Sequence, residues 1–347
     1  MFRTAYFLSL TLLSCALLAP AQEPAVPAED PPLATPAAKP VAPDSTIPPD
    51  LTAAPEAGET AAAQKAATST VAAPNETPGG VSPAFTTVPE LSAGFDLLYQ
   101  QKFTQAREAF ANWEAHNPTQ PFGEVAISAS YLFEELYRQG VLSSDFFLNE
   151  KRFLHGIDGK PDPERMNHFR EAVAQARQLA RRRQQTNPQD GEALFALTLS
   201  AGMESDAESI LMKRHLDGLK RMKEANEYAK QLLAHHPDAA DAYIAPGIAN
   251  YVIGSLNPGF RFALWFGGIH GDKKLGMQQT ANAAENGRYL KPFAKIMLAL
   301  AARREKQNIL AQRLLRELTE QYPQNDLFAS EYAKAMGRPV PAVILAR

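Results

Sequence analysis

A single interval recurs from residue 106 to residue 323 of this chain and limits what it can fold into. Ala106 precedes Pro118 by twelve residues, and the same spacing separates Ala176 from Pro188, Ala225 from Pro237 and Ala311 from Pro323. A small residue suits a point where two helices cross closely. About three turns later, a proline lacks the N–H and the ring clearance to continue a helix. Each proline follows Asn117, Asn187, His236 or Tyr322, and Asp190, Asp238 and Asp241 stand where a following helix would start. The spacing therefore predicts helical hairpins laid end to end, each proline closing the second helix of one hairpin.

The first of these units, ELSAGFDLLYQQKFTQAREAFANWEAHNP, resembles the tetratricopeptide repeat. Gly94, Ala106, Phe110 and Pro118 stand at its Gly, Ala, Phe and Pro positions, and Tyr99 lies near the aromatic one. Pro188 lies seventy residues after Pro118, and the interval contains the irregular SSDFFLNEKRFLHGIDGKPDPE. A second insertion, ESDAESILMKRHLD, precedes the helix that carries Ala225. The expectation is an all-α, irregular, tetratricopeptide-like helical-hairpin solenoid of about ten helices over residues 89–347, in which neighbouring hairpins bury one another's apolar stripes and leave a concave face.

Residues from about Ser144 to Phe328 are further similar to a bacterial family of exported tetratricopeptide-like proteins. More distantly they resemble eukaryotic helical-repeat proteins related to the yeast inclusion-body clearance protein. The likeness rests on DFFLNEKRFL, HLDGLKRMKEANEYAKQLLAHHPDAADAY, GIANYVIGSL, GDKKLGM and ENGRYLKPFAKIMLALAARREK. It implies a helical fold and a binding role, and it supplies no catalytic residues. Gly94, Phe95, Phe110, Trp113, Tyr243, Gly247 and Tyr251 read as packing positions of the repeats, and Pro246 predicts a kink within YIAPGIANY.

The N-terminal quarter has another character. MFRTAYFLSLTLLSCALLAPAQ combines Arg3, an apolar run from Ala5 to Leu18, and small residues at Ala19 and Ala21, the layout of a secretory signal peptide (1–21) cleaved after Ala21. The run is too short to span a bilayer, which takes about 20 apolar residues. Cys15 is the only cysteine, and LLSC resembles a bacterial lipobox. Bulky Leu13 and the apolar residues beyond Cys15 favour cleavage over lipidation, and cleavage leaves no thiol for disulfides or thiol chemistry. Residues 22–88, rich in Pro, Ala and Thr and nearly free of aromatics, cannot bury enough apolar surface to offset chain entropy and read as a disordered linker. The formal net charge of −3 owes much to this acidic segment, so no basic field points to nucleic acid.

One stretch crowds unusual residues together: NPGFRFALWFGGIHGDKKLG, residues 257–276. As a phosphate loop it fails, since a P-loop needs four residues between its glycines and a Ser or Thr after the lysine, where Lys274 follows Lys273. As a helix it is coherent. Asn257 caps, Pro258 takes the first position, and Phe262, Trp265, Phe266 and Ile269 fall on one stripe. Gly267, Gly268 and Gly271 end it, and Asp272 caps a following helix that runs to about Asn286 and Gly287. Such a stripe is expected to pack inside the solenoid, with contact to a lipid interface or a partner as the alternative.

Other candidates for chemistry are weak. Adjacent His235 and His236 point in different directions on a helix and suit its C-terminal carbonyls better than a metal. His155, Asp158, Asp162 and Glu164 lack the ligand alternation of a calcium loop. Arg177, Arg181, Arg182 and Arg183 read as helix-end charge, and Lys213, Arg214, Lys220, Arg221 and Lys223 as solvated faces. No Ser/His/Asp signature, HExxH motif or paired carboxylates emerge, and no cofactor or metal is called for. The sequence thus points to a non-catalytic interaction or scaffold protein of the bacterial envelope, exported or periplasmic, that takes a peptide or helix from an unidentified protein partner. A peripheral lipid-binding module and an envelope hydrolase with an unrecognised site are the alternatives.

Overall fold

The computed structural model describes residues 87–340, apart from 257 and 267. The expectations for the signal peptide, Cys15, nearly all of the linker, the Asn257 cap and Gly267 lie outside the described residues. Among the described residues the fold is all-helical, with no strand.

The chain enters through α1 (Pro89–Tyr99) and α2 (Phe103–His116), followed by α3 (Pro121–Arg138), two short helices α4 (Ser144–Leu148) and α5 (Glu150–His155), and the long α6 (Pro163–Thr186). Then come α7 (Gly191–Asp206), which ends in a π-helical turn at Ala207–Leu211, and α8 (His215–His235). A 3-10 turn (Ala240–Tyr243) leads to α9 (Ile244–Gly254), α10 (Pro258–Phe266), α11 (Lys273–Asn286), α12 (Lys291–Arg304), α13 (Asn308–Gln321) and α14 (Asp326–Ala335).

The twelve-residue interval has a direct structural counterpart. Ala106, Ala176, Ala225 and Ala311 are buried in α2, α6, α8 and α13, and each of the four prolines lies two residues past its helix's last residue. The starts are equally local. Pro89, Pro121 and Pro163 occupy first helical positions, where a missing N–H costs nothing. The carboxylates of Asp162, Asp190 and Asp272 accept from the backbone N–H of Arg165, Ala193 and Leu275, and the Asn325 side chain accepts from Leu327.

Successive helices pack on one another from α1 to α3, α6 to α9 and α11 to α14, while α3 packs on α6 across the α4–α5 insertion. Two apolar cores result. One is built mainly from α1–α3 and α6–α8, the other from α9 and α11–α14, and Tyr99 and Leu290 touch both. The first hairpin also meets the last. Tyr322 donates to Asp96 at 2.9 Å, Asn325 donates to the Tyr99 carbonyl at 2.8 Å, and Gln101 donates to Asn325 at 2.8 Å. The two ends of the helical series are thereby joined, which nearest-neighbour stacking alone would not do.

Pro246, expected to kink its helix, sits in the first turn of α9, just past the junction with the 3-10 turn. Two expectations are corrected here. Arg177 is not helix-end charge: it is 6% exposed and pairs with Glu204 and Glu224 on α7 and α8. Asp241 does not cap the helix that follows it. Its buried carboxylate accepts from the backbone N–H groups of Arg288, Tyr289 and Leu290 at 2.9–3.2 Å, holding the turn into α12.

Candidate interaction surface

The stretch from Ile244 to Asn286 forms a helical hairpin, α9 against α11, with α10 at its tip. The glycines explain the shape. A Cβ on Gly276 would lie 2.7 Å from the Gly247 carbonyl oxygen and 2.8 Å from the Tyr251 Cα, and one on Gly254 would lie 2.9 Å from the Asp272 carbonyl carbon. These are backbone atoms, so no side-chain rotation relieves the overlap. The two helices touch main chain to main chain, and no space remains between them for α10. That short helix makes no substantial packing contact with any other.

The expected burial of the aromatic stripe is therefore corrected. Phe262, Trp265 and Phe266 are 62%, 56% and 72% exposed, and Ile269 is half-buried. The rings cover one another instead: Phe266 meets Phe262 edge-on at 4.9 Å between centroids and Trp265 at 5.4 Å. The helical periodicity of the stripe is present in α10, but a stripe specifies a buried face only when a neighbour covers it, and the close α9–α11 contact leaves α10 without one. Val252 and Leu275, at the adjoining ends of α9 and α11, are also exposed, so five of the eight large exposed apolar side chains among the described residues come from this hairpin. Exposed apolar residues scattered singly need no explanation, whereas a cluster marks an interaction site.

The tip is held in a defined geometry. Gly268, at φ +71°, closes α10 with the paired bonds of a Schellman turn, its N–H to the Trp265 carbonyl and that of Ile269 to the Leu264 carbonyl, both at 3.0 Å. Asp272 then starts α11. Arg261 and Lys274 are exposed at the tip beside exposed Asp272, and Lys273 pairs with Glu305 at 2.9 Å. Glu305 also accepts from the Tyr251 hydroxyl at 3.0 Å, and burial together with this carboxylate pushes the phenol well above its ordinary pKa.

From Lys273 a groove of about 800 Å³ runs between α11, α12 and α13, with Met277, Leu298 and Leu310 on its floor. Lys295 and Glu317, paired at 2.8 Å, line it with Lys274 and Arg313. An apolar floor edged by charges of both signs suits an extended peptide or a helix face.

The other sequence candidates are placed as follows. Gly94 lies against the Phe110 ring, where a Cβ would overlap it, and Phe110 is fully buried. Gly247 and Tyr251 belong to the α9–α11 contact. His155, the last residue of α5, reaches Asp158 only at 3.5 Å and both side chains are exposed, while Asp162 caps α6. Among the described residues no three His, Cys, Asp or Glu side chains gather as a metal site. Sequence reading missed the charged groups that join distant helices, such as Arg303 on Glu331 and Lys334 on Asp145, since nothing in linear spacing brings α12, α14 and α4 together.

No protein-family model, curated protein or solved structure matches the chain.

Proposed function

We propose that this chain is a non-catalytic adaptor of the bacterial cell envelope that engages a protein partner through α10 and the groove beginning at Lys273. The observation that carries the reading is the exposure of Phe262, Trp265 and Phe266 on a short helix that stands at the tip of the glycine-packed α9–α11 hairpin and is closed by a Schellman turn. Trp and Arg are the residue types that dominate binding energy at interfaces, and Arg261 and Trp265 share this helix. The envelope location rests on the signal-peptide layout of residues 1–21.

The test is in-cell photo-crosslinking of the full chain with a photoreactive residue at position 262 or 265. A discrete polypeptide adduct from these positions, absent when the probe stands at exposed Lys220, is the expected result. Absence of any adduct from both positions refutes the reading. A second reading is favoured by the basic residues beside the aromatics: Arg261 and Lys274 would suit an anionic lipid surface, with α10 lying in its interface. Flotation with vesicles of anionic phospholipid that is lost in Trp265→Ser would establish that reading instead.

A further inference from the structure

Where the joined ends of the helical series meet, α1–α4 and α12–α14 enclose a cavity of about 130 Å³. Its walls are apolar on both sides. On α12, Phe293, Ile296, Met297 and Leu300 follow the i, i+3, i+4, i+7 pattern of a core stripe, yet all four are only half-buried. The opposite face of the same helix explains why. Ala294, Leu298, Ala301 and Ala302 are buried and make the close contact with its neighbours, which leaves the larger stripe facing a gap. Across that gap stand Phe133 and Phe147, also half-buried.

We infer that this cavity binds the hydrocarbon chain of a single-tailed amphiphile of the fatty-acid class. Water finds few polar partners along these walls, and apolar cavities of this size stay dry and take up apolar molecules. An α-helix, about 10–12 Å across, is too wide. An extended peptide would bring backbone N–H and C=O groups against side chains that cannot pair them. An alkyl chain carries no such groups and fits a narrow apolar slot.

The polar end of the slot is equally specific. Among the described residues, Arg303 and Glu331 are the only charged ones lining it, paired at 3.2 Å, and Arg303 also donates to Ser144. A polar head left at this end meets a cation, a carboxylate and a hydroxyl, while the tail runs along the α12 stripe. The inference stands apart from the partner reading of α10, because none of the lining residues belongs to α9, α10 or α11.

The test uses the purified full chain with saturated fatty acids from octanoate to hexadecanoate, followed by native mass spectrometry and thermal melting. A saturable one-to-one adduct with an optimum chain length, accompanied by a rise in Tm, is expected. Met297→Trp fills the slot and should weaken binding of the optimal chain at least tenfold while Tm without ligand stays at or above that of the parent. Met297→Ala enlarges the slot and should move the optimum to a longer chain, which keeps the test decisive if the tryptophan variant does not fold. Comparison of dodecanoate with 1-dodecanol reads the head: preference for the acid places it at Arg303, and equal binding leaves the tail as the recognised part. Absence of a saturable adduct at every chain length, or an unchanged optimum and affinity in the variants, overturns the inference.

Discussion

The same substitution, glycine to alanine, should have opposite signs at two helical positions of this protein. Gly202 lies within α7 with no atom inside 4 Å of where a Cβ would stand. There the methyl group adds helix propensity and restricts the unfolded chain, so Gly202→Ala should stabilise by about 0.5–1 kcal/mol. Gly276 gains the same propensity, but its Cβ would fall 2.7 Å from the Gly247 carbonyl oxygen and 2.8 Å from the Tyr251 Cα. Both obstacles are main chain, so α9 and α11 must separate along their contact. Overpacking of this kind costs about 1–3 kcal/mol, and the larger figure applies because no rotamer change absorbs it. The net expectation is a loss of about 2–2.5 kcal/mol, read as a Tm about 4–10 °C lower, against a rise of about 1–4 °C for Gly202→Ala. Differential scanning calorimetry on both variants and the parent gives the comparison. If Gly276→Ala proves neutral or stabilising, the main-chain contact is not what holds α9 to α11, and the account of why α10 is left at the surface fails with it.

The exposure of α10 gives a second contrast: Phe266, 72% exposed, has little burial to lose, so Phe266→Ala should cost at most about 1.5 kcal/mol, whereas Phe110→Ala in the core should cost about 3–5. Equal losses in urea melts would mean that α10 is core after all. Asp241→Ala leaves the N–H groups of Arg288, Tyr289 and Leu290 without their acceptor and should destabilise by about 2–4 kcal/mol, with Asp241→Asn recovering part of it; a loss under about 0.5 kcal/mol would show that the turn into α12 is held otherwise. Burial, and behind it the carboxylate of Glu114, pushes Glu124 up from 4.5 to about 7. The folded state then keeps a proton that the unfolded state has released, so stability should fall as pH rises from about 4.5 to about 7 and level off above, by about 1–2 kcal/mol once screening of this half-buried group is allowed for. Glu124→Gln should flatten that slope in Tm measured against pH, and an unchanged slope would assign it to other groups.

What could be read from the chain, and what could not, divides along a physical line. Helix ends were legible because their causes are local. A proline two residues past α2, α6, α8 and α13, an aspartate before α7 and α11, and the span of α11 to Asn286 all follow from backbone chemistry within a few residues. Side-chain fate was less legible, because it depends on which surfaces meet. Arg177 resembles any other basic residue in RQLARRRQQ until Glu204 and Glu224 close on it from two further helices. The stripe of α10 has the periodicity of a core face and is exposed, while the stripe of α12 has the same periodicity and faces a cavity.

Those two stripes share a cause, and it bears on how the surface and the cavity arise. In each case small residues draw a pair of helices together: the glycines of α9 and α11, and the alanines of α12 against its neighbours. Close approach on one side fixes the spacing of the helices and leaves larger apolar side chains elsewhere with nothing to fill the space they face. At α10 the uncovered side chains meet solvent. At α12 the Tyr99, Asp96 and Asn325 contacts that join the first and last hairpins close the space from outside. Loss of that closure should therefore affect the two sites differently. Removing the Tyr322 hydroxyl and the Asn325 amide together would open the cavity and weaken its hold on a hydrocarbon chain, while α10, at the tip of the separately packed α9–α11 hairpin, should keep its crosslinking pattern. A double variant in which both responses changed together would show that one cooperative closure governs the whole helical series.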